Sequence, residues 1–375
     1  MGSSAMEASM EDATGRATSS GRRHGSNGSK RRTMMEVIIQ DEEGSDSEHF
    51  VYQTPGTDLS HLQAWGRMVQ ELFGHKSIYL VARNDQGICG VLPLSQVKSR
   101  LFGNRLVSQP FSDYGGPIAT CSQAADALYD KAVEIAKGLG CQYIEFRNLD
   151  PMPQPLALRT DKACMFLDLA PDPRIVWDGL RPQIRNRIRR AQSSKIEVTS
   201  GGLDLLDDFY RLWTLRMCQL GTPCYPRGLF EAILRRFPRH SRIFLATYNG
   251  QAIGAILAYM FNDWARTRWG ASLREYDSLS PNYLLNWFAI EFYCRAGAKR
   301  FDFGRSTVGS SQYTFKERWG ARPANLNWQY WTADGREPPI ARPDAPAYRW
   351  KIGVWKRLPV AFTRIAGPWI SKALV

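Results

Sequence analysis

Hydrophobic and polar positions change their spacing along the chain, and these changes predict helices and strands. Residues 61–74, HLQAWGRMVQELFG, carry apolar side chains every three to four positions, which predicts an amphipathic helix. Residues 77–97, SIYLVARNDQGICGVLPLSQV, predict two strands joined at an Asn-Asp-Gln-Gly turn. An extended stretch through FSDYGGPI, a helix over residues 124–140 and a strand over residues 141–148, CQYIEFRN, follow. The predicted order is helix, hairpin, extended stretch, helix and strand.

The second half of the chain repeats this order. The matching segments are GLFEAILRRF, RIFLATYNGQAIGAILAY, LLNWFAIEFYCRAG and GAKRFDFG. Gly254 in the second half corresponds to Gly90 in the first, and Gly297 corresponds to Gly140, with nearly the same separation along the chain. Because several elements recur in the same order at a nearly constant separation, the sequence predicts a tandem duplication of one α/β unit.

Length and composition agree with two domains. The chain has 375 residues, 43% of them apolar, enough for two cores. Residues 1–46 are rich in Ser, Gly and Arg and then acidic, which predicts a disordered arm. We expect domains over residues 49–165 and 166–345 and a basic, aromatic tail over residues 346–375.

Cysteine usage and hydropathy bear on location. The seven cysteines lie singly, without the spacing of a zinc site, so we expect reduced thiols in a cytoplasmic protein and no metal or redox cofactor. The N-terminal stretch has no apolar core of the kind found in signal peptides, and no apolar run reaches some 18 residues. The sequence therefore predicts neither secretion nor a membrane span.

The repeated unit resembles the acyltransferase fold of the GNAT superfamily, and two such units in tandem resemble the Fem family. The strings VKSRLFGN, YGGP and FDFGRS followed by FKERWG are similar to FemAB-like proteins associated with exosortase (PEP-CTERM) and exopolysaccharide loci. The resemblance covers about residues 49–375. It implies mixed, twisted α/β sheets flanked by helices. It also implies acyl or aminoacyl transfer to an amine or hydroxyl of a peptidoglycan or exopolysaccharide precursor.

The segment FDFGRSTVGSSQYTFKERWG contains the main catalytic candidates. Strand alternation predicts that Asp302 projects away from the apolar side of its strand, toward the end where open α/β sheets bind ligands. The resemblance implies that Lys316, in a Phe-Lys pair, stabilises the tetrahedral intermediate. Asp302 is a candidate base or orienting group, and Arg305 and Ser306 form a polar binding loop. The alternative is that Asp302 only pairs with a neighbouring arginine and that Lys316 is an exposed strand lysine.

Other residues are candidates for holding a phosphate-bearing substrate. Arg227 follows GTPCYP at a predicted helix start, where phosphate binds readily. Arg185 and Arg189 belong to the acid-free cluster RPQIRNRIRRAQSSK, which suits the phosphates of tRNA or of a diphosphate-linked acceptor. Tyr114, in YGGP, is a candidate for the acceptor groove. The alternatives are a rigid loop for the segment before Arg227, a solvated basic helix for Arg185 and Arg189, and a tight turn for Tyr114.

The acyl donor stays open among aminoacyl-tRNA, acyl-CoA and acyl carrier protein, each a co-substrate and not a bound cofactor. In SLSPNY, Ser280 is a predicted N-cap and Pro281 the first helical residue. Ordinary GNAT enzymes carry a glycine-rich loop there for the CoA pyrophosphate, so its absence disfavours acetyl-CoA. Ala119 and Thr120 stand where family members often have an aspartate, which leaves the general base and the acceptor open.

The tail mixes tryptophans, bases and aliphatic residues. Such a segment lies well in a membrane interface, which gives peripheral contact with the inner membrane as one interpretation. Packing of these aromatic residues on the second domain is the alternative. Pro359 and Pro368 are expected to break the segment into short helices. For the whole chain, the alternatives to an aminoacyltransferase are a CoA-dependent N-acetyltransferase and a non-catalytic protein that binds a glycan precursor.

Overall fold

The computed structural model describes residues 35–99, 103–338 and 346–374. The predicted arm lies outside these ranges up to residue 34. The first half contains β1 (Glu36–Ile39), α1 (Ser45–Gln53), α2 (Gln63–Phe73), β2 (Lys76–Asn84), β3 (Gly87–Ser99), β4 (Gly103–Val107), β5 (Ile118–Ala119), α3 (Ser122–Gly138) and β6 (Tyr143–Asn148). The helices α2 and α3 and the β2–β3 hairpin therefore lie where their hydrophobic periods predict them, while α1 was not predicted.

The rest of the chain follows with a second set of elements. A connection contains β7 (Ala157–Arg159), β8 (Lys162–Asp168), α4 (Pro173–Gly179) and α5 (Pro182–Ser193). The second half contains β9 (Glu197–Gly201), α6 (Leu206–Leu220), α7 (Arg227–Arg236), β10 (Ser241–Tyr248), β11 (Gln251–Phe261), β12 (Trp264–Ser272), α8 (Pro281–Arg295) and β13 (Arg300–Thr307). It ends with α9 (Ser311–Arg318), β14 (Arg322–Asn325), β15 (Asn327–Thr332), α10 (Pro346–Trp355) and α11 (Val360–Ser371).

The two halves share one topology, as the repeat predicts. In the described residues, the first sheet has the order β1-β2-β3-β4-β6-β15-β7, with β5 beside β3, and the second has the order β14-β8-β13-β12-β11-β10-β9. Both hairpins shift register at the same place, between Ala82 and Arg83 in the first and between Ala246 and Thr247 in the second. A shared irregularity of this kind supports duplication, because β-bulges are conserved within families.

The structure corrects the predicted boundary of the arm. Residues 36–39 form β1, which pairs antiparallel with β2, and α1 begins at Ser45. Val37 and Ile38 pack against the cores of the first half, so this short apolar run outweighs the acidic residues that follow it. β1 is the counterpart of β9, and the repeated unit therefore begins before residue 49.

The halves exchange strands. β15, from the end of the second half, pairs antiparallel with β6 of the first sheet, while β8, from the connection, pairs antiparallel with β13 of the second. The predicted boundary between residues 165 and 166 consequently falls inside β8. Each sheet is completed by a strand from outside its own repeat, so the two predicted domains are not separate segments of sequence.

The cores follow this arrangement. One apolar cluster joins α1 and α2 to α6 and α7 and contains Trp65, Phe209 and Phe230. A second packs α5 and α8 on the outer face of the second sheet, and a third packs α3 on the first sheet. Within the described ranges, no helix is both long and apolar enough to cross a bilayer.

Candidate active site

The site begins where two parallel strands separate. β12 and β13 pair only over Trp264–Arg266 and Arg300–Asp302. Beyond these pairs, both strands line a cavity of about 430 Å³. Gly304 lies at this point with φ 77°, and a Cβ there would lie 2.9 Å from the carbonyl oxygen of Thr267. The close approach and the positive φ explain why the position is glycine. We call this opening the β12–β13 cavity.

A second cavity lies against the first sheet. β4 and β6 pair over Arg105–Val107 and Tyr143–Glu145, and Arg105, Tyr143 and Glu145 belong to the lining of a cavity of about 520 Å³. We call it the β4–β6 cavity. Arg268, Arg305 and Gln312 line both cavities, so the two cavities share a rim.

The β12–β13 cavity is cationic. Arg216, Arg268, Arg305 and Lys316 contribute to its lining, and no carboxylate does so among the described residues. Trp213, Met217 and Phe315 supply apolar surface. Such a lining suits a ligand that carries phosphate next to an apolar group, because the cations attract the anion and the aromatic rings exclude water.

Lys316 lies on helix α9 and not on a strand. Ser310 caps this helix by accepting a hydrogen bond from the Tyr313 amide. The Lys316 ammonium donates to the carbonyl oxygens of Gly304, at 2.8 Å, and Arg305, at 3.1 Å. An ammonium has three donors, so one is left for a ligand in the cavity. Burial lowers the pKa of Lys316, partly offset by the charge of Asp302.

Asp302 projects away from Phe301 and Phe303, as predicted, but it is only 2% exposed and lines neither cavity. Its Oδ2 accepts a hydrogen bond from the Tyr114 hydroxyl at 2.9 Å, and its Oδ1 accepts one from the Gly304 amide at 2.7 Å. Burial raises the pKa of Asp302, against the opposing charge of Arg266. The geometry makes Asp302 a positioning group for the Gly304 loop.

Tyr114 lies on the other side of this contact. Its ring is buried and, like Asp302, is not part of either cavity lining. The Arg266 guanidinium lies 4.2 Å from the ring centroid and pairs with buried Asp58 at 2.9 Å. Tyr259 donates a further hydrogen bond to Asp58 at 2.9 Å. The tyrosine therefore joins the two halves and has no access to an acceptor in either cavity.

The rim between the cavities depends on Asp113. It pairs with Arg268 and, at 3.4 Å, with Arg305. Burial alone would raise the pKa of Asp113, but Arg268 and then Arg305 outweigh it and lower the pKa. The Arg305 guanidinium also lies 5.1 Å from the centroid of a Trp328 ring. Arg305 therefore lies at the rim of both cavities, and its binding role stays a prediction.

Ser306 lines the β4–β6 cavity. It is buried, and its Oγ has no hydrogen-bond partner in the part of the chain that the structure describes. A buried hydroxyl without a partner costs free energy unless a ligand or water satisfies it. Ser306 is therefore well placed to bind a polar group.

The β4–β6 cavity is positively charged and aromatic. Among the described residues, the carboxylates in its lining are those of Asp113 and Glu145. Glu145 pairs with Arg147 at 2.6 Å. Its cationic lining residues are Arg105, Arg147, Arg159, Lys162, Arg268 and Arg305. Its aromatic lining residues are Phe111, Tyr143, Tyr225, Trp328 and Tyr330. Surplus positive charge beside aromatic faces suits an anionic ligand with a sugar ring.

Three predicted binding residues lie outside both cavities. Arg227 begins α7, where it pairs with Asp207 at 2.8 Å and Glu231 at 2.7 Å. On α5, Arg185 donates to the Asp178 carbonyl oxygen at 3.1 Å. Also on α5, Arg189 lies 5.5 Å from the centroid of a Trp177 ring. The structure does not bring these arginines together with Lys316.

The start of α8 borders the β12–β13 cavity through Asn282 and Asn286. Pro281 is the first helical residue, as predicted. Ser280, however, has φ 63° and makes no side-chain cap, so the predicted hydroxyl cap is wrong. The backbone provides the turn instead, because the Tyr283 amide bonds to the Ser280 carbonyl oxygen.

The sequence analysis missed the buried network of Asp58, Tyr259 and Arg266 and the rim ion pair of Asp113 and Arg268. None of these residues belongs to a local motif. Their partners lie about 150 to 200 residues apart in sequence. The available signal was the presence of two arginines, Arg266 and Arg268, within the predominantly buried strand β12, because arginine is rarely buried unless it is paired.

Comparison with known proteins agrees with this geometry. Residues 179–317 match the family model described as an acetyltransferase (GNAT) domain, so the second half carries a GNAT-type domain. No curated protein matches the chain. Among solved structures, FemX matches with TM-score 0.61 and 14% identity over 78% of this chain and 96% of its own.

Two other solved structures are similar. L-PGS from Bacillus licheniformis matches with TM-score 0.53 and 12% identity over 80% of this chain and 95% of its own. A C-terminal domain assigned to a lysylphosphatidylglycerol synthetase of Agrobacterium fabrum matches with TM-score 0.53 and 11% identity over 77% of this chain and 91% of its own. At these identities the matches show the shared fold. The predicted GNAT-like fold is confirmed, and the domain match supports an acyltransferase.

Proposed function

We propose that the protein transfers an acyl or aminoacyl group to an amine or hydroxyl of a cell-envelope glycan precursor, of peptidoglycan or exopolysaccharide. The observation that carries this proposal is the Lys316 ammonium. It has one donor to spare at the wall of a cation-lined cavity between two separated parallel strands. Such a donor stabilises negative charge on a reacting carbonyl oxygen.

The β12–β13 cavity would bind the acyl donor. The donor candidates all carry phosphate, which the cationic lining favours. Pro281 lacks an amide proton, and the Tyr283 amide is already bonded at the start of α8. Fewer free amides are therefore available for a CoA pyrophosphate, which favours aminoacyl-tRNA. The Agrobacterium match, assigned to a synthetase of lysylphosphatidylglycerol, agrees with an aminoacylated envelope product.

The β4–β6 cavity would bind the acceptor. Its cations suit the phosphates of a diphosphate-linked glycan, and its aromatic residues suit the sugar. Arg305 would contact both substrates from the shared rim, and Ser306 would satisfy its hydroxyl on the acceptor. Arg185 and Arg189, on α5 outside both cavities, suit the backbone phosphates of a large donor such as tRNA.

In the reaction, the acceptor nitrogen or oxygen attacks the carbonyl carbon of the donor. The carbonyl oxygen becomes an oxyanion, and Lys316 donates its free N–H to it. The intermediate then collapses, the carbon bond to the donor's leaving oxygen or sulfur breaks, and the acceptor's proton passes to the leaving group through solvent. Asp302 fixes the Gly304 amide, and Gly304 in turn accepts from Lys316, so Asp302 orients the ammonium.

A transfer assay tests the proposal. Purified protein is incubated with a polyprenyl-diphosphate glycan and labelled aminoacyl-tRNA, acyl-CoA or acyl carrier protein. We expect Lys316→Met to lower kcat by about 100- to 1,000-fold, since one oxyanion donor contributes about that much. Lys299→Met is the matched control, because Lys299 is exposed and pairs with Asp263 at the surface. Full activity of Lys316→Met would contradict the mechanism.

Donor experiments distinguish the proposed function from two alternatives. If no donor raises the Tm of the protein while the glycan does, the chain is a non-catalytic binding protein of glycan precursors. If acetyl-CoA alone supports transfer, it is a CoA-dependent N-acetyltransferase.

We also propose that the enzyme acts in the cytoplasm at the periphery of the inner membrane, where cytoplasmic acyl donors and a lipid-linked acceptor would meet.

A further inference from the structure

Helix α11 packs on the protein through its small residues. Thr363 and Ser371 are each 1% exposed, and Gly367 is buried between them. A Cβ at Gly367 would lie 2.7 Å from the Cys224 sulfur, so the helix lies close against the loop that precedes α7. The Cys224 thiol also donates to the Thr363 carbonyl oxygen at 3.5 Å. Polar and small side chains thus occupy the inner face of this helix.

The large apolar side chains of α11 point the other way. Phe362 is 53% exposed, Ile365 72% and Trp369 79%. A helix on a water-soluble protein normally turns its large apolar residues to the core. Here that arrangement is reversed, and the three residues recur at the spacing of a single helix face.

Helix α10 adds to the same kind of surface. Ile352 anchors it, with its side chain against Gly221. Trp350 and Val354 are exposed on α10. Exposed contiguous apolar patches of this kind mark sites for a partner or a membrane.

The charges of residues 346–375 indicate what kind of partner this exposed surface binds. Residues 346–375 contain no aspartate or glutamate. Their basic side chains that the structure describes are exposed: Lys351, Lys356, Arg357, Arg364 and Lys372. A second copy of the chain would bring like charges together across the interface. An anionic bilayer meets both features, because its headgroups attract the bases while its acyl boundary accepts the apolar side chains.

We propose that α10 and α11 form a docking surface for an anionic lipid bilayer, with Phe362, Ile365 and Trp369 inserted at the interface. α11 has 12 residues, too few to span a bilayer of about 20 residues' depth, so it lies along the surface. Tryptophan favours this interfacial depth.

The docking surface ends at the β4–β6 cavity. Ser371, Ala373 and Leu374 belong to the lining of that cavity. His75 and Arg105 hold the end of α11 there, at 3.0 Å from the carbonyl oxygens of Lys372 and Ala373. A bilayer on α11 would therefore lie beside the cavity mouth. This step rests on the proposed function, since it makes the acceptor a lipid-linked glycan that reaches the site from the membrane.

Vesicle flotation tests the docking surface without any transfer reaction. The full chain is mixed with vesicles of phosphatidylcholine, alone or with about one third phosphatidylglycerol, at about 0.1 M salt. The test variant carries Phe362→Ser, Ile365→Ser and Trp369→Ser. The control carries Leu158→Ser, Ile175→Ser and Leu203→Ser, which are exposed apolar residues elsewhere. Since all six side chains are exposed, both variants should fold, and circular dichroism checks this.

We expect the wild type and the control to float with anionic vesicles and to bind neutral vesicles at least tenfold more weakly. The test variant should bind anionic vesicles at least tenfold more weakly than the wild type. Equal binding by both variants, or no binding by the wild type, overturns the proposal. A dimer in lipid-free solution that the test variant abolishes also overturns it, since the surface then binds a second copy.

The two proposals can fail separately. Lys316→Met should bind vesicles like the wild type, because Lys316 lies in the β12–β13 cavity. Vesicle binding by a protein that transfers no acyl group would remove the proposed function and leave the docking surface. Transfer to a soluble acceptor by a protein that does not bind vesicles would remove the docking surface and leave the proposed function.

Discussion

Lys316 combines a half-buried position with two backbone acceptors. Its ammonium is held by the carbonyl oxygens of Gly304 and Arg305, and Gly304 is held by Asp302. The polar loop after the strand indicated Arg305 and Ser306, whereas Lys316 was indicated by the family resemblance. The contact between Tyr114 and Asp302 spans 188 positions, so no local pattern could indicate it. The sequence therefore indicated Asp302 as a base or orienting group but not its contact with Tyr114.

The pH dependence of the rate follows from the lowered pKa of Lys316. If the cation stabilises the oxyanion, kcat should fall as pH rises through this lowered pKa, below the ordinary value of 10.5. Lys316→Arg keeps its charge to higher pH, so its residual activity should persist where the wild type has declined. The measurement is kcat against pH for both proteins. Coincident alkaline limbs would exclude Lys316 as the titrating group.

A second prediction at this scale concerns Asp113. Its pKa is lowered below 3.8, so its ion pairs stabilise the fold above that pH and are lost as pH falls through the lowered value. Asp113→Asn leaves Arg268 largely buried without a charge partner and should cost about 3 to 5 kcal/mol at pH 7. Urea unfolding at pH 7 and about pH 3 measures this. A difference from the wild type that stays constant with pH would contradict it.

At the scale of elements, local pattern predicted most helices and hairpins but not the exchanged strands. α2, α3 and both hairpins have clear hydrophobic periods, and α8, apolar on most sides, was indicated by its match to α3 in the repeat. β15 and β8 depend on pairing with distant partners, which periodicity does not encode. Pro359 precedes α11 as expected, but Pro368 lies inside the helix, so the predicted break there is wrong. Packing of α11 on Cys224 stabilises the turn that proline weakens.

Gln329 tests the importance of strand exchange. From β15 it accepts hydrogen bonds from Asn148, at 3.1 Å, and from the Met152 amide, at 2.6 Å, and donates to the Met152 carbonyl oxygen at 3.1 Å. Gln329→Leu leaves these buried groups unpaired and should lower the free energy of unfolding by about 2 to 4 kcal/mol. Chemical denaturation measures the change.

Gln192→Leu is the control for this substitution. Gln192 is exposed on α5, so its replacement should change stability by no more than about 0.5 kcal/mol. Equal stability of the two variants would show that β15 contributes little to the first sheet.

At the scale of the whole molecule, duplication and strand exchange bring two cavities side by side. Residues of corresponding parallel strand pairs contribute to their linings, β4 and β6 for one cavity and β12 and β13 for the other. The cavities differ in chemistry, because Lys316 lines the β12–β13 cavity, while the β4–β6 cavity has the Glu145–Arg147 ion pair. In the proposed function the β12–β13 cavity binds the acyl donor, the β4–β6 cavity binds the acceptor, and Arg305 lies between them.

The central claim is that Lys316 supports acyl transfer to an envelope glycan precursor. The most direct measurement is mass spectrometry of these precursors from cells that lack the gene and from the same cells carrying the wild type, Lys316→Met or Lys299→Met. We predict an added acyl or aminoacyl mass with the wild type and Lys299→Met, and its loss with Lys316→Met and without the gene. Identical precursors in all four strains would contradict the account.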